Sequence, residues 1–235
     1  MKFKKEWLTR KYLLQRTIYF SLGSLVLNFF VGFIKIIISA FIYSITFAFN
    51  GIYNVILGFA KNSAIKEYNN SENIDERSQK VKEAKKKNVE TKSCWKLCFY
   101  NLSASVLYLI LSIITTFVMP EISVYGTITA IFIATIAFSK LIVSIVGTVK
   151  TRNMDNLIIH YIKFINLSDG LISISLCQRA LLSIGEATEL SSLYSGIGGI
   201  CFSALAILLS LYMIFELRFI KNRKIIDIAT IEEDL

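Results

Sequence analysis

The sequence predicts an all-α polytopic membrane helix bundle, with six transmembrane helices arranged as three hairpins and both termini cytoplasmic. Two compositional observations and one pattern predict it. Of 235 residues, 54% are hydrophobic and only 18% charged, and the mean hydropathy is +0.56. A soluble domain carries about 25% charged and about 45–50% apolar residues, so an ordinary soluble enzyme is excluded. One proline and 11 glycines leave too little turn material for a β-sandwich or a disordered chain. The pattern is a set of three long apolar runs, at 17–60, 97–149 and 156–217. One bilayer crossing takes about 20 apolar residues, so each run is long enough for two crossings.

Each run carries its own break. In 17–60 a tight turn is expected near Ala40 to Ser44. No small-residue cleavage site ends the first apolar core, and the run continues, so a retained first span is expected rather than a removed signal peptide. The second run breaks at Met119-Pro120-Glu121, where proline removes a backbone donor and clashes with the preceding turn. The third breaks at Gly185-Glu186-Ala187-Thr188-Glu189. The organisation that follows is a basic N-terminus at 1–16, a bundle at 17–217 interrupted by a cytoplasmic loop at 61–93, and a tail at 218–235.

Charge gives the threading. Of the 26 Lys and Arg, 22 fall within 1–16, 61–92, 150–163 and 218–224, all on one side of that bundle. The short loops on the other side carry only Glu121, Glu186 and Glu189. Positive residues stay inside, so both ends are expected in the cytoplasm of a cell-membrane protein. The 61–93 loop has the composition of a helix but no continuous apolar stripe (Ile65, Tyr68, Ile74, Val81 and Val89 are scattered), so it reads as a solvated connector. Its lysines also suit anionic lipid headgroups, at about 1 kcal/mol per basic residue near the surface. No aromatic residues interleave with them, and nucleic acid is not an expected partner. The bilayer and a second copy of the chain are the other partners the composition allows.

Within each span, small and polar residues recur every three or four positions, which places them on one face. The faces read Ser21, Ser24, Asn28, Gly32, Lys35, Ser39; then Thr46, Asn50, Asn54, Gly58; then Asn101, Ser105, Tyr108, Ser112, Thr115. The last three are Ala137, Lys140, Ser144, Gly147; Asn166, Asp169, Ser173, Cys177, Ala180; and Ser192, Ser195, Gly199, Ser203, Ala206, Ser210. Packing alone explains most of them, because small residues let helices approach and hydroxyls bond across interfaces. Ser195-Gly-Ile-Gly-Gly lacks the Lys-Ser/Thr ending of a phosphate loop and reads as a close-packing patch.

Ionisable residues inside the apolar runs carry more information, because each costs about 2.5–3.5 kcal/mol at a helix centre. Four qualify: Lys35, Lys140, Asp169 and Arg179. Arg179 lies six residues before Gly185 and is expected to snorkel or to meet Glu186 or Glu189. Lys140 and Asp169 fall at similar depth and can pair, either as a static link that fixes register or as a charged site on a hydrophilic path. Lys35 is expected to donate to Asn50 or Asn54. The candidate polar pathway is therefore Lys35, Asn50, Asn54, Lys140 and Asp169. The four cysteines read as reduced and mostly buried, and His160 as an interfacial surface residue; no metal site, catalytic residue or cofactor is expected. Trp7, Trp95 and Tyr100 read as interfacial anchors.

Two resemblances add to this. Asn166-Leu-Ser-Asp-Gly-Leu-Ile-Ser-Ile, Cys177-Gln-Arg-Ala-Leu-Leu-Ser-Ile-Gly and the Tyr194-Ser-Gly-Ile-Gly-Gly to Leu211-Tyr-Met-Ile stretch resemble a group of uncharacterised bacterial six-span integral membrane proteins, as do Ser44-Ile-Thr-Phe and Gly51-Ile-Tyr-Asn-Val-Ile-Leu-Gly. That resemblance implies topology. More distantly, Asn28, Lys35, Ser44, Asn50 and Asn54, with Asp169 followed by Ser173, are similar to the transmembrane domain of the cation diffusion facilitators. That similarity implies a six-span transporter bundle, but amides stand at Asn50 and Asn54 and Ile165 at the helix-5 histidine position, and the tail is too short for the family's C-terminal domain.

The expected function is that of an integral membrane protein handling a small solute or ion, as a transporter or channel. The alternative is a non-transporting scaffold or subunit that presents its basic loop to a partner. An enzyme is not expected: no paired aspartates, Ser/His couple or His-Glu metal motif lies within the spans.

Overall fold

The computed structural model describes residues 2–42, 45–72, 79–118, 126–151, 156–182, 184 and 189–233. Among them every regular element is helical: α1 (Lys2–Ile42), α2 (Ile45–Glu72), α3 (Gln79–Ile113), α4 (Thr127–Thr151), α5 (Leu157–Leu182) and α6 (Glu189–Glu233). A π-helical turn, Ile114–Val118, closes α3. The helix ends fall close to the three expected breaks: residues 40–42 stay helical at the end of α1 and Glu189 starts α6, while 43–44, 119–125 and 185–188 lie outside the described residues.

Five helices contain stretches long and apolar enough to cross a membrane: Ser21–Phe41, Lys86–Val118, Thr127–Thr151, Leu157–Leu182 and Leu190–Ile220. The chain is a multi-pass membrane protein. The helix that falls short is α2, whose apolar stretch is diluted by Asn50, Asn54 and Lys61.

The stripes set the packing. Every stripe residue named above is buried or half-buried, while Phe30, Phe33, Ile37, Phe132, Ile142, Leu208 and Phe215 point outward. Gly32 and Gly51 mark the crossing of α1 and α2, where a Cβ on either would come within 3.0 Å of the other's carbonyl oxygen. The glycines of Ser195-Gly-Ile-Gly-Gly do the same work for α6: a Cβ on Gly196 would collide with Thr116, on Gly198 with Gln178, and on Gly199 with Ser112. That is the close-packing role expected of them.

Neighbours in space are not always neighbours in sequence. The main packed pairs are α1 with α2, α4 with α5, and α3 with α6, joined by α2–α3 and α5–α6 contacts. The second expected hairpin is therefore not a packed pair: α3 and α4 follow each other in sequence but pack against α6 and α5 instead. Among the five apolar spans the deepest is α5, with 61% of its most apolar stretch buried, against 17% for α4 and 12% for α1.

The helices also overrun the apolar runs. At about 1.5 Å per residue, the 45 residues of α6 extend roughly 65–70 Å, far beyond a hydrocarbon core about 30 Å thick. The 61–93 segment is correspondingly not a solvated connector at its ends. There α2 continues to Glu72 and α3 starts at Gln79, with Ala64, Ile65, Ser71, Glu90 and Ser93 buried. Lys96 of α3 donates to Glu67 of α2 at 3.0 Å, and Asn156 donates to Glu90 at 3.2 Å, tying this extension together.

A candidate ion cluster on the seam between α2 and α5

Asp169 is where the charges meet. It sits in the middle of the most buried helix, and Lys140 Nζ on α4 donates to its Oδ2 at 3.1 Å. The expected Lys140–Asp169 pair is formed, within a helix pair packed so closely that Gly170 leaves only 3.2 Å between an added Cβ and the Leu141 Cα. A second cation was not anticipated. Lys61 Nζ on α2 lies 3.7 Å from the same carboxylate oxygen and donates to Ser24 Oγ on α1 at 2.7 Å. The two lysines differ in setting, since the Lys61 side chain is 0% exposed and that of Lys140 38%. Lys35 of α1 lies close enough to interact electrostatically with both Lys140 and Asp169. Three helices thus bring two ammonium groups to one carboxylate, with a third ammonium, on α1, in electrostatic range.

Asn50 and Asn54 lie on the same face of α2, toward the Thr46 end of the helix. The bond expected from Lys35 to either is not made. Asn50 Nδ2 donates to the Thr46 carbonyl at 2.9 Å and Asn54 Nδ2 to the Asn50 carbonyl at 2.8 Å, so each amide back-bonds to its own helix. Back-bonding consumes donors and leaves acceptors. Asn50 Oδ1 is buried without a hydrogen-bond partner, as are Tyr53 Oη and Asn28 Nδ2. A buried polar group without a partner costs about 1–3 kcal/mol, and in native interiors such groups are few. Asn28 and Tyr53 lie at neighbouring levels, and Asn50 lies just beyond the Gly32–Gly51 crossing. Asn28 falls on α1 between the Ser24–Lys61 bond and the Gly32–Gly51 crossing, level with the stretch of α2 that holds Asn54 and Tyr53.

The far end of the seam is held by Arg179. Instead of snorkelling outward it turns into the bundle, with Nη1 donating to Thr46 Oγ1 at 2.9 Å and Nη2 to Thr115 Oγ1 at 3.2 Å. The expected partners Glu186 and Glu189 lie outside the residues whose side chains are described. These contacts line up on α2 and α5 as antiparallel neighbours, Lys61 with Asp169 at one end and Thr46 with Arg179 at the other. Polar and charged groups mark both ends of this seam, with buried apolar residues such as Leu57 and Ile172 on the same two helices, and the charges at the two ends are more positive than negative.

Other polar groups form a separate network beside this seam. Asn101 Nδ2 donates to Ser168 Oγ at 2.9 Å and Ser210 Oγ at 2.8 Å, and Tyr161 Oη donates to the Met213 carbonyl at 3.0 Å. These bonds pin α3, α5 and α6 together. His160 is buried at 9% exposure, in edge contact with Phe164, with Nε2 3.9 Å from Glu216 Oε1; it is not the surface residue expected. Cys94, Cys98 and Cys177 are buried as expected, while Cys201 is exposed. Among the described residues no three His, Cys, Asp or Glu side chains gather at one point. A cavity of about 370 Å³ between α4, α5 and α6 is lined almost wholly by apolar groups, including Phe138, Ile174, Leu181 and Phe202, and does not include the charged cluster.

Lys61 was legible in retrospect. It continues the α2 stripe three residues beyond Gly58, but it lies one residue past the apolar run and so falls in the segment that reads as a loop. No family model matches the chain, and no curated protein matches it.

Proposed function

We propose that the chain is a six-span cell-membrane protein, with both termini cytoplasmic, that carries a small solute or ion along the seam between α2 and α5. In this reading α2 is the sixth span. Its polar residues are tolerated because they face neighbouring helices, which is where ionisable groups within membrane proteins belong. The reading rests on one observation above the rest: Asp169, in the most buried helix, faces Lys61 and Lys140 together, at 3.7 and 3.1 Å. A register-fixing salt bridge needs one partner for each charge. Here a third ammonium, that of Lys35, stands within electrostatic range, and unpartnered polar atoms of Asn28, Tyr53 and Asn50 are spaced along α1 and α2. The distant resemblance to facilitator bundles supports a transporter scaffold and adds nothing about cargo.

The second reading, a scaffold or subunit, has its own support. The helical extension built from the ends of α2 and α3, with its Lys96–Glu67 bond, is an ordered surface suited to a partner. The two readings separate on variants. Asp169→Asn, reconstituted into vesicles at wild-type abundance, is expected to lose solute uptake if the seam is a path. Unchanged uptake in Asp169→Asn, together with sensitivity to changes at Glu67 and Lys96, would favour the scaffold.

A further inference from the structure

Resting on the transport reading of the same seam, we propose that its ligand is a small oxyanion, a carboxylate or phosphate, bound where Lys61 and Lys140 meet Asp169, with Lys35 in electrostatic range.

The charge balance carries this. Two ammonium groups face one carboxylate, Lys140 at 3.1 Å and Lys61 at 3.7 Å from the same oxygen, and Lys35 lies in electrostatic range of both Lys140 and Asp169. One carboxylate cancels one charge. Lys61, whose side chain is 0% exposed, carries part of the excess, and a buried charge that is not fully compensated is several kcal/mol less stable than a compensated one. A bound anion supplies the missing charge, and a bound cation would enlarge the excess. The surroundings agree in sign. Going from the cluster toward the other end of the seam, the next charged side chain on α5 is Arg179, which among the described residues is held by the neutral hydroxyls of Thr46 and Thr115. Toward the opposite end, Lys163 lies within electrostatic range of Lys61.

The ligand's shape follows from the donors. Ammonium groups are rotatable point charges with three donors each, suited to an anion with several oxygens. Tyr53 Oη, in electrostatic range of Asp169, and Asn28 Nδ2 on α1 are buried donors without partners, at 2% and 3% residue exposure. Lys61 makes its Ser24 bond and its Asp169 contact through one nitrogen, so it can exchange Asp169 for an incoming oxyanion while keeping Ser24. Asp169 then acts as the resident counter-ion that the ligand displaces. A counter-ion of that kind keeps the empty site from being a trap, because the lysines return to it when the ligand leaves.

Full-length protein in phosphatidylcholine vesicles is assayed for uptake of labelled inorganic phosphate and acetate, with rubidium and glycerol as cationic and neutral controls. In parallel, thermal unfolding in neutral detergent is followed with phosphate against chloride at equal ionic strength. Uptake of phosphate or acetate and a phosphate-specific rise in Tm are expected. Among the described residues Lys35 makes no hydrogen bond or close ion pair, so Lys35→Gln is expected to fold and to weaken phosphate binding about tenfold. Asp169→Asn removes the competing carboxylate and is expected to gain more Tm from phosphate than the wild type does; a cation site would respond in the opposite way. Uptake of rubidium or glycerol without either oxyanion, and no phosphate-specific Tm shift, overturns the oxyanion and leaves transport standing. No uptake of any solute overturns transport; a phosphate-specific Tm shift that Lys35→Gln weakens would then keep the anion site, and its absence would remove that too.

Discussion

Asp169 and Arg179 lie on one helix, about 15 Å apart along its axis, and the bundle accommodates them in opposite ways. Asp169 meets opposite charge, Lys140 at 3.1 Å and Lys61 at 3.7 Å. Arg179, among the described residues, meets only hydroxyls, Thr46 at 2.9 Å and Thr115 at 3.2 Å. A hydroxyl satisfies a donor without cancelling its charge. One end of the seam is therefore an ion cluster whose members depend on each other, and the other is a solvated-like cation whose partners are replaceable. The contrast predicts steep sensitivity at the first and tolerance at the second.

The largest effect is expected from Asp169→Ala. It leaves Lys61, with a side chain 0% exposed, without an opposing charge, and should reduce stability by about 3–5 kcal/mol in a denaturant titration in detergent. A loss below that of Arg179→Met would break the contrast. Next is Lys61→Ala, expected to cost about 1–3 kcal/mol, because Asp169 keeps Lys140 but Ser24 loses its donor. Arg179→Met should cost about 1 kcal/mol, since Thr115 Oγ1 already reaches the Ser112 carbonyl at 3.3 Å and can rely on it. The smallest effect belongs to Lys140→Gln. Its side chain is 38% exposed and an amide can still donate to Asp169, so thermal unfolding should register a change under about 1 kcal/mol. An effect of Lys140→Gln as large as that of Lys61→Ala would show that exposure does not rank the two lysines.

Much of this architecture is written in the spacing of small and polar residues. Each stripe, from Ser21 to Ser39 on α1 to Ser192 to Ser210 on α6, turns inward, because a helix in lipid has only its neighbours to satisfy its polar groups. Lys140 and Asp169 were pairable on depth alone, and they pair. What spacing does not encode is which stripe meets which. The α3–α6 pairing depends on Thr116 and Ser112 fitting over Gly196 and Gly199, a match of shapes between segments some 80 residues apart. Run boundaries mislead for a related reason. They mark where apolar composition stops, whereas α2 and its buried face continue through Lys61 to Ser71. Distance from a loop points Arg179 outward and an interfacial place points His160 outward, but a side chain is directed by the partners within its reach, here Thr46 and Thr115 for the one and the Phe164 ring for the other.

The central claim is that the charged cluster forms part of a solute path rather than a static brace. Replacing both partners of a buried pair by apolar residues of similar size is close to neutral for stability, which separates the two roles. The decisive measurement is uptake of phosphate, acetate, rubidium and glycerol by Lys61→Met/Asp169→Leu in vesicles, at an abundance and Tm matched to the wild type. Loss of at least tenfold in the uptake the wild type supports is expected. Wild-type uptake in the folded double variant would contradict the claim.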